Sequence, residues 1–328
     1  MDAFLNSVPG ALILLVVGFV FLVKGADFFV EGASSVAKRL KVPSLIIGLT
    51  IVAMGTSLPE TAVSISASMQ GNNTIAISNV TGSNVFNLMV VVGICAVMSA
   101  MKVDSDTIKR DIPLSLGAAV LMLLFGYTSN ILGRVEGIIF ILLFVGYITL
   151  MVRSALKARA AGLAVESESI EEAEKAPLMS VGKSVICIIG GAAAIAFGGD
   201  WVVDGASVVA SAFGISDTVI GLTIVAIGTS LPELVTSIVA AKKNEVDMAL
   251  GNAIGSNVFN ILMVIGIASF ISPIDFIMNN IFDIAVLIAC TLVVWLAVWR
   301  KRQLNRPIGI LMIAVYAVYM VYIVLRDM

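Results

Sequence analysis

One phrase is written twice in this chain: GLTIVAMGTSLPE at 48–60 and GLTIVAIGTSLPE at 221–233, differing only at Met54 and Ile227. The same offset of 173 residues (221 − 48) aligns SNVTGSNVFN at 78–87 with GNAIGSNVFN at 251–260, and KGADFFVEGAS at 24–34 with FGGDWVVDGAS at 197–207. No gap is needed between 24–94 and 197–267. Self-similarity of this length makes the chain two related halves. Each copy of the phrase ends on a glutamate, Glu60 or Glu233, set in an apolar run. A charge inside a bilayer costs several kcal/mol, so an acid that recurs there marks a functional site.

The chain has 328 residues, 59% of them hydrophobic and only 13% charged, which no soluble domain with a polar surface matches. The apolar runs are long enough to cross roughly 30 Å of hydrocarbon. They predict about ten spans, near 9–32, 43–70, 74–99, 112–127, 132–153, 181–204, 215–241, 247–272, 281–299 and 307–325. None alternates every second residue as barrel strands do, so the spans are helices. Equivalent positions lie five spans apart, and an odd number turns the second copy over. The expected fold is an all-α polytopic membrane protein of about ten transmembrane helices in two inverted five-helix repeats. Residues 1–155 form the first repeat (motif 48–94), 156–180 a linker, and 181–328 the second repeat (motif 221–267).

The net charge of −2 identifies no partner, but its placement orients the chain. Seventeen of the 20 Lys and Arg residues, among them Lys38, Arg39, Lys102, Arg110, Lys243 and Arg302, fall in the odd-numbered loops. Arg134 and Arg326 fall opposite, and Lys24 lies inside the first span. The basic side is cytoplasmic, which places both termini outside. Asp2 stands where a cleavable signal would be basic, so the first run is read as a span. The linker, acidic at Glu166, Glu168, Glu171, Glu172 and Glu174, reads as a solvated cytoplasmic connector, with calcium sensing as an alternative. Cys95, Cys187 and Cys290 sit alone in apolar runs as packing residues. Histidine is absent, which removes Ser–His–Asp chemistry and histidine metal sites together.

In the second span Pro59 cannot donate a backbone hydrogen bond and crowds the carbonyl of Gly55. Carbonyls from Ala53 to Thr56 are therefore expected to be released at mid-membrane, where irregular backbone survives only beside a cavity or a ligand. Ser57 and Thr56 precede Glu60 by three and four residues, on the same helix face. Ala226, Gly228, Thr229, Ser230, Pro232 and Glu233 repeat the set. The third span adds Asn79, Ser83 and Asn87, spaced by four, and the eighth adds Asn252, Ser256 and Asn260. Helix packing alone would explain Gly55 and Gly228 but not the paired glutamates. Asn84 and Asn257 read as helix ties, and Asn79 and Asn252 as either ties or ligands. Asp27, Glu31, Asp200 and Asp204 are expected to pair with basic or polar groups at the membrane edge or to line an ion route.

Such oxygens suit calcium, which takes six to eight of them, and sodium; zinc and copper would call for His or Cys. Two carboxylates at low dielectric repel, so the site should hold calcium, sodium or protons by turns. No enzyme activity, cofactor or nucleic-acid partner is expected; the partners are cations and the bilayer, with the oligomeric state open. The residues alone leave sodium/calcium exchange, proton/calcium exchange and a passive cation channel as readings. GGD at 198–200 matches intramembrane aspartyl proteases over three residues only.

The paired GTSLPE and GSNVFN segments resemble the α-repeats of the sodium/calcium exchangers, within the calcium/cation antiporter superfamily, of prokaryotic type. The resemblance implies that Glu60 and Glu233 are central ligands shared by calcium and sodium. Thr56 and Thr229 would add backbone oxygens. Ser57, Ser230, Ser83 and Ser256, with the carbonyls of Ala53 and Ala226, would complete flanking sodium sites. The first and sixth spans would slide past the core in a sodium-driven, electrogenic export of calcium across a prokaryotic cytoplasmic membrane. Potassium-dependent members carry Asp where this chain has Asn260, so potassium dependence is not expected.

Overall fold

Lipid offers no partner to a backbone N–H or C=O, and the long apolar segments among the described residues are helices. The computed structural model describes residues 7–160, 178–214 and 226–327. The acidic cluster 166–174 and the first part of the span expected at 215–241 lie outside the described residues.

Helix α1 (Val8–Leu40) and helix α7 (Val181–Ala212) are the longest, at 33 and 32 residues. α1 begins at Ser7, whose hydroxyl accepts the Gly10 N–H at 3.4 Å, and has a proline in its first turn. It ends at Lys41, in the left-handed conformation with φ 54°, just before Pro43. The apolar run predicts an end near 32. The helix instead continues beyond the hydrocarbon, its last turn carrying Lys38 and Arg39, where cations favour a helix C-terminus.

α1 and α7 run antiparallel along a glycine seam. A Cβ on Gly18 would sit 2.8 Å from the carbonyl oxygen of Gly198, and one on Gly198 equally close to that of Gly18. Gly25 meets Gly191, and Gly32 meets Ser184. Side chains there would hold the backbones apart, and small residues at such a seam let dispersion bind helices that lipid would otherwise solvate equally well.

The other elements are α2 (Ser44–Thr56), α3 (Leu58–Met69), α4 (Asn73–Met98), α5 (Thr107–Ser129), α6 (Arg134–Ala160), α8 (Ala226–Gly228), α9 (Leu231–Lys242), α10 (Val246–Ile271), α11 (Met278–Lys301) and α12 (Arg306–Asp327). Eight helices are long and apolar enough to cross a membrane, and α2 with α3, bent by 48°, makes a ninth among the described residues. α9 is the described part of the span expected at 215–241.

Helices α4 and α10 form the centre: 83% and 78% of their apolar windows are buried inside the protein, against 17–39% for the other long helices. Two-residue strands tie the loops. β1 (Met101–Lys102) pairs with β4 (Gln303–Leu304), and β2 (Ile131–Leu132) with β3 (Ile274–Asp275).

Candidate functional site

The bend between α2 and α3 falls at Ser57, two residues before Pro59, and Ser230 occupies the same place before α9. Each break starts a new helix whose first turn holds the glutamate. Glu60 and Glu233 thus sit where free N–H groups and the helix dipole favour an anion. Upstream, Gly48–Val52 forms a π-helical turn, and α4 and α10 widen likewise at Asn87–Val91 and Asn260–Ile265. Such turns recur at functional sites.

Glu60 and Glu233 are fully buried and lie within electrostatic reach of each other. The serines expected beside their own glutamates reach across the protein instead. Ser57 donates to Glu233 Oε1 at 2.7 Å, and Ser230 donates to Glu60 Oε1 at 3.1 Å. Ser256 donates to Glu233 Oε1 and to the Ala53 carbonyl, both at 3.4 Å. The Ala53 carbonyl also accepts the Ser57 N–H at 3.1 Å, so it is engaged rather than free. Ala226 opens α8. Ser83 faces the Glu60 carboxylate from the same half of the chain, with its Oγ buried.

The asparagines divide into ties and open groups. Asn79 donates to Ser64 Oγ at 3.0 Å and to the Glu60 carbonyl at 3.4 Å. Asn252 does the same to Ser237 Oγ at 3.0 Å and to the Glu233 carbonyl at 3.3 Å. Their own carbonyl oxygens accept from the opposite half, Asn252 from Thr56 at 3.1 Å and Asn79 from Thr229 at 3.4 Å. Asn84 and Asn257 exchange side chain-to-backbone bonds at 3.1 and 3.0 Å. Asn260 donates to Asn84 Oδ1 at 3.2 Å. Asn87 Oδ1, Asn260 Oδ1, Glu60 Oε2 and Glu233 Oε2 are buried and accept no hydrogen bond.

Ser64 and Ser237 escaped the sequence reading. Their signal was present: each follows its glutamate by four residues, at the common offset. Among the outer acids, Glu31 and Asp27 pair with Lys243 at 2.8 and 3.4 Å. Asp200 and Asp204 instead line a cavity of about 250 Å³, together with Pro59, Val63, Val203 and Thr229. Among the described residues no cluster of three or more His, Cys, Asp or Glu side chains gathers as a metal site. Any ion here would be held largely by neutral oxygens around two carboxylates.

A ring of membrane helices around buried, oxygen-lined acids is the architecture of an integral membrane transporter. The sodium/calcium exchanger protein family profile matches residues 10–153 and 183–325, and the chain belongs to that family. CaxA of Alkalimonas amylolytica, which carries the name of an antiporter, is 40% identical over 322 residues, covering 94% of this chain and 97% of that protein. The sodium/calcium exchanger MaX1 of Methanosarcina acetivorans is 34% identical, with 94% and 97% covered. A solved structure of the sodium-calcium exchanger NCX_Mj, soaked with sodium and strontium, is 32% identical and superposes with a TM-score of 0.82 over 96% of this chain and 99% of its own. The chain is therefore an antiporter-type ion transporter and not an enzyme, in a family that moves ions without a cofactor.

Proposed function

We propose that this protein exports calcium in exchange for sodium by alternating access around Glu60 and Glu233. The observation that carries the reading is the set of buried oxygens that accept no hydrogen bond: Glu60 Oε2, Glu233 Oε2, Asn87 Oδ1 and Asn260 Oδ1. Each such atom costs about 1–3 kcal/mol when left unmade, and a cation would satisfy several at once. Two carboxylates match the charge of calcium, and six to eight oxygens match its coordination. Thr56 and Thr229 would complete that shell through backbone oxygens. Ser57, Ser230, Ser83 and Ser256, with Ala53 and Ala226 carbonyls and lining from Asn87 and Asn260, would hold sodium in flanking positions.

The topology we infer has ten spans in two inverted repeats, with both termini outside a prokaryotic cytoplasmic membrane. The strand pairs support it. β1 and β2 lie at opposite ends of α5, and β1 pairs with β4 while β2 pairs with β3. The repeat offset carries residues 101–102 of β1 onto 274–275 of β3, so equivalent loops fall on opposite sides. Lys102 and Arg302 lie on the β1–β4 side, as the positive-inside rule requires of the cytoplasm.

Three sodium ions per calcium would make the exchange electrogenic. A tenfold sodium gradient is worth about 1.4 kcal/mol per ion, and one net charge crossing 100 mV about 2.3 kcal/mol. Together they supply roughly 6.5 kcal/mol, enough for more than four decades of calcium gradient. The test is calcium uptake into proteoliposomes loaded with sodium. Uptake that follows the sodium gradient and the membrane potential supports the reading; uptake driven by a pH gradient and indifferent to sodium refutes it.

A further inference from the structure

The two ends of the site are built from equivalent residues but are not equally closed. On one side Pro59, Val63, Val203 and Thr229 line the cavity of about 250 Å³ with Asp200 and Asp204. The repeat offset maps these positions onto Pro232, Thr236, Val30, Thr56, Asp27 and Glu31. There the packing is shut: Val30, Thr56 and Thr236 are all 0% exposed. The charge chemistry differs in parallel. On the shut side the Lys243 ammonium meets Glu31 Oε1 at 2.8 Å, Asp27 Oδ1 at 3.4 Å and the Asp27 carbonyl at 3.3 Å. Beside it Ser34 donates to Glu245 Oε1 at 2.9 Å. These contacts pin α1 to the turn between α9 and α10. The counterparts of Lys243 and Glu245 are Gln70 and Asn72, both neutral. Gln70 donates to Ser66 on its own helix, and Asp200 and Asp204 make no ion pair among the described residues.

We propose that Lys243 is a one-sided latch that holds the cytoplasmic gate closed through Asp27 and Glu31, so that the empty carrier rests open to the outside. The proposal rests on the alternating-access reading and its assignment of sides. The magnitude suits a device that opens in every cycle. Partly exposed ion pairs are weak, so the latch tilts the balance between the two states by a few-fold and is readily released. A permanently buried pair would lock the gate instead.

The experiment uses the full chain in nanodiscs without sodium or calcium, with Cys95, Cys187 and Cys290 replaced by Ala. One reporter is placed at Val30→Cys or at its equivalent Val203→Cys, and its reaction rate with a polar thiol reagent is measured. The parent should react at 203 and be protected at 30. Lys243→Gln should raise the rate at 30 by about threefold or more and lower it at 203, whereas Lys243→Arg should keep the parent pattern. The swap Lys243→Glu with Glu31→Lys should restore protection at 30. Gln70→Lys, which offers Asp204 and Asp200 a cation while Lys243 stays in place, should lower the rate at 203 by about threefold. Unchanged rates at both reporters in Lys243→Gln and Gln70→Lys overturn the latch. If Lys243→Gln does not fold, Asp27→Asn with Glu31→Gln removes the same pairs from the other side, and unchanged rates there overturn it equally. Absence of sodium-driven calcium flux in the parent would refute the proposed exchange separately, since the labelling rates do not depend on flux.

Discussion

Ser57 donates its hydroxyl to Glu233 Oε1 at 2.7 Å, from 176 positions away in the chain. Ser230 returns the arrangement to Glu60 at 3.1 Å. Each carboxylate therefore takes a hydrogen bond from the half of the chain that does not carry it, and Ser256 adds one to Glu233 from its own half. The duplicated phrase is thus a pair of interlocking parts rather than two independent binding loops.

Removing either carboxylate should end exchange. Glu60→Gln and Glu233→Gln each remove one of the two negative charges that would face a buried calcium ion, and leaving a buried charge uncompensated costs about 3–5 kcal/mol. Calcium uptake in proteoliposomes should fall by about a hundredfold or more, with membrane insertion intact. Near-normal uptake in either variant would remove that residue from the mechanism.

The crossed serine bonds should appear as a specific coupling. Ser57→Ala should weaken calcium binding by about tenfold, as expected for a hydrogen bond to a charged acceptor. In calorimetric titration, Ser57→Ala combined with Glu233→Asp should deviate from additivity, while Ser57→Ala with Glu60→Asp should come closer to it. Equal deviations in both pairs would contradict the crossed geometry.

Calcium should stabilise the protein in proportion to site occupancy. A ligand at a hundred times its Kd adds about 2.7 kcal/mol, so the thermal midpoint in detergent should rise with calcium, and sodium should compete for the rise. Glu60→Gln should abolish it. A shift retained in that variant would place the stabilising ion elsewhere.

Asn84 and Asn257 should matter for folding through their exchanged bonds. Asn84→Leu or Asn257→Leu leaves the opposite backbone carbonyl without its donor, at a cost of about 1 kcal/mol within a membrane bundle. Thermal midpoints should drop in both variants, and the double variant should cost less than the sum. A full sum would show that the two bonds act independently.

The glycine seam should be intolerant of bulk. Gly18→Leu forces a side chain to within 2.8 Å of the opposing Gly198 carbonyl, so α1 and α7 must separate. The variant should lose about 1–3 kcal/mol, read as a lower midpoint or loss of monodisperse protein. Gly190→Leu is the control, because a Cβ there meets nothing within 4 Å.

Much of this could be seen in the chain before any coordinates. The repeat offset located both glutamates and both asparagine series, because those residues carry their meaning locally, as polar atoms at fixed spacing in apolar runs. For Asp27, Glu31, Asp200 and Asp204 it left basic or polar partners and an ion route open, and Lys243, which pairs with the first two, could not be singled out from the other cations. Ser57 was assigned to the face of its own glutamate, since i−3 neighbours meet on a continuous helix. The break at Ser57 dissolves that continuity and aims the hydroxyl elsewhere. The extension of α1 to Leu40 was missed because hydropathy marks the edge of the lipid, not the end of the helix.

By itself the sequence determined that the chain is helical, membrane-embedded and duplicated around two acids, because backbone satisfaction in lipid and the cost of buried charge act on each segment separately. Only the tertiary structure decided which serine holds which glutamate, which buried oxygens lack donors and which end of the site is shut. Those outcomes depend on how the segments pack against each other, and residues about half the chain apart meet only when the whole bundle closes.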